Sequence, residues 1–403
     1  MNNPVGAKSE LALVPYWRLS GFYFFYFASL GALVPFWSLY LQAEGYGSRE
    51  IGWLSAVILA TRIAAPNLWG WLGDYSGQRL RIIRWGAGLA AIFFSGVLFS
   101  DYAKGWQFEC LLISVLLYSF FWNAILAQFE VLTLHHLDDK PQLYGAVRLW
   151  GSVGFIVVVA AIGILFDFVS VSYLPWILFS LLLLMWLNSL FLTEVKKSCR
   201  LSHWRGFLAI ATKKPVLYFL ASAFLLQLSF GPYYTFFSVF LERLNYSKTV
   251  IGLLWSLGVV AEIAIFMCMY RLLPVLGVRL LLLLSCAMAS FRWLLLAYCA
   301  EYSWVLIFSQ CLHAFSFGTA HAASIEFIRR YFSSQQTSID HQGQGQSLYS
   351  SISWGCGGAL GAVLSGYLWS AGNEATFVYA ALASTLAFVF VWLGVHKQDA
   401  LLS

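Results

Sequence analysis

Five charged side chains, Arg62, Glu130, Arg148, Glu262 and Arg292, interrupt long apolar runs of this chain, and His313 and His321 lie together in another. A charge at the centre of a bilayer costs roughly 2.5–3.5 kcal/mol, so five of them unpaired would cost about 15 kcal/mol in all, and they should face an interior and one another. The chemistry open to them is proton exchange and anion recognition. A carboxylate such as Glu262 changes protonation state when its cationic partner moves, because desolvation favours the neutral acid and a nearby guanidinium favours the anion. Arg292 is the expected partner that expels the proton, with His313 or His321 bonding the carrier or relaying the proton. The structural alternative is a static interhelical ion pair. Arg148 or Arg62 could grip a carboxylate with two parallel hydrogen bonds. Their formal charges, together with Glu130, Glu262 and Arg292, sum to +1 with Glu262 ionised and +2 with it protonated, which favours an anion entering with a proton.

Helical spacing groups further residues with these. Gln310, His313, Phe317, His321 and Ser324 recur at intervals of three and four and form one polar and aromatic stripe. Gln227, Gly231, Tyr234 and Ser238 form a second stripe, and Asn123, Ala127 and Glu130 a third. Tyr23, Tyr26 and Trp37 are expected to supply aromatic walls. Glu326 falls off the His321 face and has Arg329 and Arg330 three and four positions on, so it reads as an interfacial ion-pair residue.

The elements that must position these groups are membrane-spanning helices. Of the 403 residues 60% are hydrophobic and only 10% charged, where a soluble chain carries about a quarter charged residues. Apolar runs bounded by charge, glycine, proline or polar clusters place spans near 17–42, 50–72, 82–101, 108–134, 143–167, 172–193, 215–241, 249–273, 279–300, 303–328, 345–370 and 375–395. Numbering the connections alternately puts seventeen lysines and arginines on the side of the termini and four (Arg49, Lys104, Arg243 and Lys248) on the other. That bias predicts both termini in the cytoplasm. Seven scattered cysteines without a C-x-x-C pair read as small packing residues.

An offset of 200 residues aligns Gly31, Phe36, Ser38, Leu41, Tyr46, Ile51, Gly52, Leu54, Ile63 and Ala64 with identical residues at 231, 236, 238, 241, 246, 251, 252, 254, 263 and 264. Two parallel six-helix repeats follow, with substrate between them. The expected division is an N-terminal bundle over 1–193, a cytoplasmic linker over 194–214 and a C-terminal bundle over 215–403. In that register Arg62 corresponds to Glu262, a cation opposite an anion that could pair with it.

Between spans 2 and 3, Gly70-Trp-Leu-Gly-Asp74-Tyr-Ser-Gly77-Gln-Arg79-Leu-Arg81 resembles the G-x-L-A-D-x-x-G-x-[RK] loop of the major facilitator superfamily. Its glycines suit a tight turn and close helix approach, and Asp74 can cap a helix or pair with Arg79 or Arg81 to latch one gate state. Tyr75 stands where family members usually carry Arg. The run Tyr144-Gly-Ala-Val-Arg148-Leu-Trp-Gly151-Ser-Val-Gly154 resembles the fifth helix of the lactose permease group. Phe36-Trp37-Ser38, Trp255 through Glu262, and Arg292-Trp293 are similar to its phenylpropionate permease branch. The resemblance implies an all-α protein of twelve transmembrane helices in two pseudo-symmetric bundles that imports an aromatic carboxylate such as phenylpropionate together with protons. Glu130 with Arg148 also resembles the pair that binds sugar hydroxyls in lactose permease, so a sugar or nucleoside stays the alternative.

The chain has no G-x-x-x-x-G-K-[ST], H-E-x-x-H or G-x-S-x-G, which argues against a primary pump and against a membrane enzyme. No cofactor, metal or nucleic acid is implied. The expected partners are a small-molecule substrate, protons and the lipid bilayer, for a functional monomer in a bacterial inner membrane. The polar stretch 333–346 reads as a flexible loop without chemistry of its own.

Overall fold

Apolar side chains on every face of a helix leave it no polar face to turn to water, and the chain answers with long rods separated by short turns. In a computed structural model that describes residues 15–138, 140, 142–195, 204–333 and 341–395, these residues form helices and connecting turns and no strand. The rods are α1 (Tyr16–Ala43), α2 (Ser48–Ala60), α3 (Ala65–Ser76), α4 (Arg79–Leu98), α5 (Gln107–Leu137), α6 (Leu143–Phe166) and α7 (Leu174–Leu190). A short helix α8 (Trp204–Ala211) precedes α9 (Lys214–Ser229), α10 (Gly231–Arg243) and α11 (Lys248–Tyr298). Then follow α12 (Ser303–His313), α13 (Ala320–Phe332), α14 (Gln342–Ser350), α15 (Gly358–Leu368) and α16 (Asn373–Gly394). Among the described residues nine helical stretches are long and apolar enough to cross a membrane.

The expected spans map onto this order with local differences that have identifiable causes. The two expected spans 249–273 and 279–300 are two helices that follow one another within the 51 residues of α11 and meet at a kink. A single rod of that length would be roughly 75 Å long at 1.5 Å per residue, more than twice the hydrocarbon core, and the helix is interrupted at Gly277, whose φ of 71° no helix accommodates. Span 2 is broken by a 3-10 turn, Thr61–Ile63, that carries Arg62. Span 7 is broken between Ser229 and Gly231, where Pro232 begins a new helix. Spans 10 and 11 each contain a π-helical segment, Ala314–Thr319 and Ser351–Gly357. The expected loop 333–346 is shorter than the sequence suggests, since helix begins at Gln342. Positions 334–340, Lys8 and the basic residues Lys196, Lys197 and Arg200 lie outside the described residues.

The repeat is visible in backbone detail. The N–H of Tyr46 bonds the carbonyl of Leu41 at 3.0 Å, and that of Tyr246 bonds Leu241 at 3.1 Å. Gly45 and Asn245 both sit at positive φ, 87° and 63°. Close helix approach is also repeated: a Cβ on Gly154 would strike the Phe24 carbonyl, and one on Gly357 would strike the Phe224 carbonyl. Contacts divide the chain into one unit of Met1–Tyr40 with Ala64–Arg200 and another of Leu41–Ile63 with Leu201–Ser403. The segment bearing α2 therefore packs in the second unit, where Gly52 meets Gly366 and Ala362 of α15.

Candidate functional site

In the first unit, Arg148 of α6 points at Glu130 of α5, with Nε and Oε1 3.7 Å apart. Its guanidinium lies over the rings of Phe27 and Tyr23, at 4.1 and 5.3 Å. Small residues allow this. A Cβ on Gly151 would meet Phe27 and an Arg148 nitrogen, and Gly154 lets α1 approach α6 closely. Cation, carboxylate and aromatic faces thus meet at one place, suited to binding a polar group beside a ring. Tyr26 is stacked on Trp122 at 4.9 Å and Trp37 lies 5.5 Å from Tyr40, both buried. The indole N–H of Trp37 has no acceptor among the described residues.

In the second unit, Arg292 of α11 is wholly buried. One terminal nitrogen bonds His313 Nδ1 at 2.9 Å and the other donates to Gln310 Oε1 at 3.4 Å. Tyr233 also donates to Gln310 Oε1, at 3.0 Å, while its ring and that of Trp293 lie 4.3 and 4.8 Å from the guanidinium. The structure thus brings Arg292 to neutral hydrogen-bond partners and ring faces. The stripe read on span 10 is preserved. His313 and Phe317 are stacked 5.1 Å apart at 2°, and Phe317 and His321 6.3 Å apart at 4°. Glu262 borders the π-helical turn, where a Cβ on Gly318 would lie 3.3 Å from its Cγ. Arg62 stands over Trp354 at 5.3 Å. Tyr234 sits among Phe230, Trp255 and Trp354, and Gln227 is buried with an amide nitrogen that finds no acceptor among the described residues.

The span 7 stripe needs correction. Gly231 does not line a chamber, because it packs directly on the backbone of Gly361. Ser238 is engaged by the indole of Trp255 at 2.9 Å. Tyr233, one position off that stripe, joins the Arg292 cluster through Gln310, a role the stripe assigned to no residue.

At the loop between α3 and α4, Arg79 is bonded to Asp74 and donates to Gln128 Oε1 at 2.5 Å. A Cβ on Gly73 would meet the side-chain ends of Gln128 and Arg79, and Gly77 closes the turn at φ 65°. Gly70 makes only an ordinary contact with Gln128, and Arg81 reaches Gln78 at 3.2 Å. Gln128 and Glu194, whose carboxylate accepts from the Leu80 N–H at 2.8 Å, were invisible in sequence because their partners lie 49 and 114 residues away. Glu326 takes the expected role, bonding both Arg329 and Arg330 at 2.7 Å.

The MFS_1-like family model matches residues 16–381. The chain is 29% identical over 401 residues to the maltose permease of Geobacillus stearothermophilus, covering 94% of each. It is 26% identical over 377 residues to a probable 3-phenylpropionic acid transporter of Escherichia coli (strain K12), covering 90% of this chain and 93% of that one. Its fold matches the crystal structure of a D323A mutant of the nucleoside transporter NupG with a TM-score of 0.82 at 16% identity, over 94% of this chain and 100% of that one. A bacterial homologue of the human lysosomal transporter Spinster matches with a TM-score of 0.65 at 12% identity, over 96% of both chains. An all-helical fold, ionisable clusters within the helices of each unit and a family match across almost the whole chain place this protein in the MFS_1-like family of major facilitator transporters.

Proposed function

We propose that this transporter is a proton-coupled symporter that imports a small aromatic carboxylate, such as phenylpropionate, by alternating access. The observation that carries the reading is that guanidinium groups lie against ring faces in both units: Arg148 over Phe27 and Arg62 over Trp354. A carboxylate can take two hydrogen bonds from such a group while the substrate ring joins the aromatic wall. Arg62, Glu130, Arg148, Tyr26, Trp37, Gln227 and Tyr234 form the substrate-binding set. Glu262 carries the proton, Arg292 is the cation that expels it, and His313 and His321 assist. Asp74, Gly77, Arg79 and their neighbours form the gating loop. The protein acts as a monomer in a bacterial inner membrane, with both termini in the cytoplasm.

A sugar or nucleoside is the second reading. The 3.7 Å approach of Arg148 to Glu130 favours it, since a locally neutral donor and acceptor pair suits hydroxyl groups. The names of the maltose permease and nucleoside transporter relatives point the same way. Purified protein in proteoliposomes with a pH dye in the medium distinguishes them. Alkalinisation of the medium driven by phenylpropionate, with no response to maltose or uridine, is the expected result. A response to maltose or uridine alone would overturn the aromatic acid reading.

A further inference from the structure

Inside the second unit, between the two π-helical segments, lies a cavity of about 20 Å³. A buried water needs roughly 10–15 Å³ and two to four polar partners, so the space suits one or two waters. It is far too small for an organic solute, whose pockets run to about 300 Å³ or more. Its polar lining includes Ser222, Gln227, Ser316, His321, Ser324 and Ser353. The Gln227 amide nitrogen is buried without an acceptor among the described residues, so a donor already faces this space.

Position along the helices gives the cavity a direction. One end is formed by Phe317, next to Gly318, against which Glu262 packs. The other is formed by Phe219, Ser324 and Tyr349. These lie within a few turns of the helix ends at Lys214, Phe332 and Gln342, on the side where α8 packs through Phe207 against Phe332 and His341. The π-helical turns, which widen a helix locally, supply Ser316 on one wall and Ser353 on the other.

We infer that this cavity is a water-holding proton conduit through the second unit, joining the neighbourhood of Glu262 to the linker-side surface. The inference rests on the proton coupling proposed above. A proton leaving Glu262 passes to water held by the serine hydroxyls, of which Ser316 and Ser353 keep their own protons on the Leu312 and Tyr349 carbonyls at 3.0 and 2.6 Å, and the His321 imidazole takes a proton on one nitrogen as it releases its own from the other. The ionisable groups bordering the route are His321, Tyr349 and Cys286 in its lining, with Glu262 and Arg62 beside the π-helical turns.

Two variants test it in proteoliposomes: Cys286→Leu, which puts hydrocarbon into the water-sized space, and the double variant Ser324→Ala/Ser353→Ala, which removes hydroxyls without adding bulk. Each is assayed for solute-driven alkalinisation and for counterflow exchange of labelled solute, which requires no net proton release. The expected result is alkalinisation slowed about tenfold with counterflow within about twofold of wild type. If Cys286→Leu loses both activities through misfolding, the double serine variant decides. Wild-type alkalinisation in the serine variant, with a coupled wild type, would overturn the conduit and leave the coupling standing. Solute import by the wild type without any proton signal would overturn both.

Discussion

Arg292 donates to Nδ1 of His313 across 2.9 Å in the interior of the second unit. A guanidinium has only donors, so Nδ1 must be the accepting nitrogen and the neutral ring carries its proton on Nε2. His313 cannot bind a second proton at Nδ1 while Arg292 occupies it. Leaving a buried donor unsatisfied costs about 1–3 kcal/mol. His313→Leu is therefore expected to lower unfolding stability by that amount, while His313→Asn, which can offer an oxygen near the Nδ1 position, should recover part of it. Equal thermal stability of wild type and the leucine variant would refute the bond.

The proton role assigned to Glu262 has its own signature. Glu262→Gln removes the titrating group and keeps the shape against Gly318. The expected outcome is loss of accumulation against a gradient with counterflow retained. Undiminished accumulation would show that Glu262 is not the carrier.

Arg148 is held on Phe27 as well as near Glu130. Lysine keeps the charge but not the flat, two-pronged donor set. Arg148→Lys should raise KM for the solute about tenfold or more with a smaller change in maximal rate. Unchanged KM would place the substrate elsewhere.

At the loop between α3 and α4, Arg79 bridges Asp74 and Gln128 while almost fully buried. Asp74→Asn should slow turnover more than it changes KM, because the latch acts on the conformational step. Arg79→Lys should not substitute, since one ammonium cannot reproduce the two-directional grip. Normal turnover in both variants would remove the loop from the gating mechanism.

The repeated helix contacts at Gly154 and Gly357 predict matched behaviour. Overpacking costs about 1–3 kcal/mol, and both Gly154→Val and Gly357→Val should lower thermal stability on that scale. Gly145, where an added Cβ meets nothing within 4 Å, is the control and should tolerate alanine.

Local chemistry alone settled a great deal. The near absence of charge outside connections set the helical membrane fold, the stripe of His313, Phe317 and His321 needed only helical spacing, and the 200-residue repeat reappeared in the turns at Tyr46 and Tyr246. Tertiary structure alone decided who meets whom. Arg292 chose His313 and Gln310, Arg62 came to rest over Trp354, and Gln128 joined the Asp74–Arg79 latch. The Arg62–Trp354 pairing rests on the 3-10 turn Thr61–Ile63 and on the π-helical turn Ser351–Gly357, which depart from regular helical spacing, and the other two join helices far apart in sequence. Periodicity read along a chain assumes an unbroken helix, and such departures are fixed only when neighbouring helices pack.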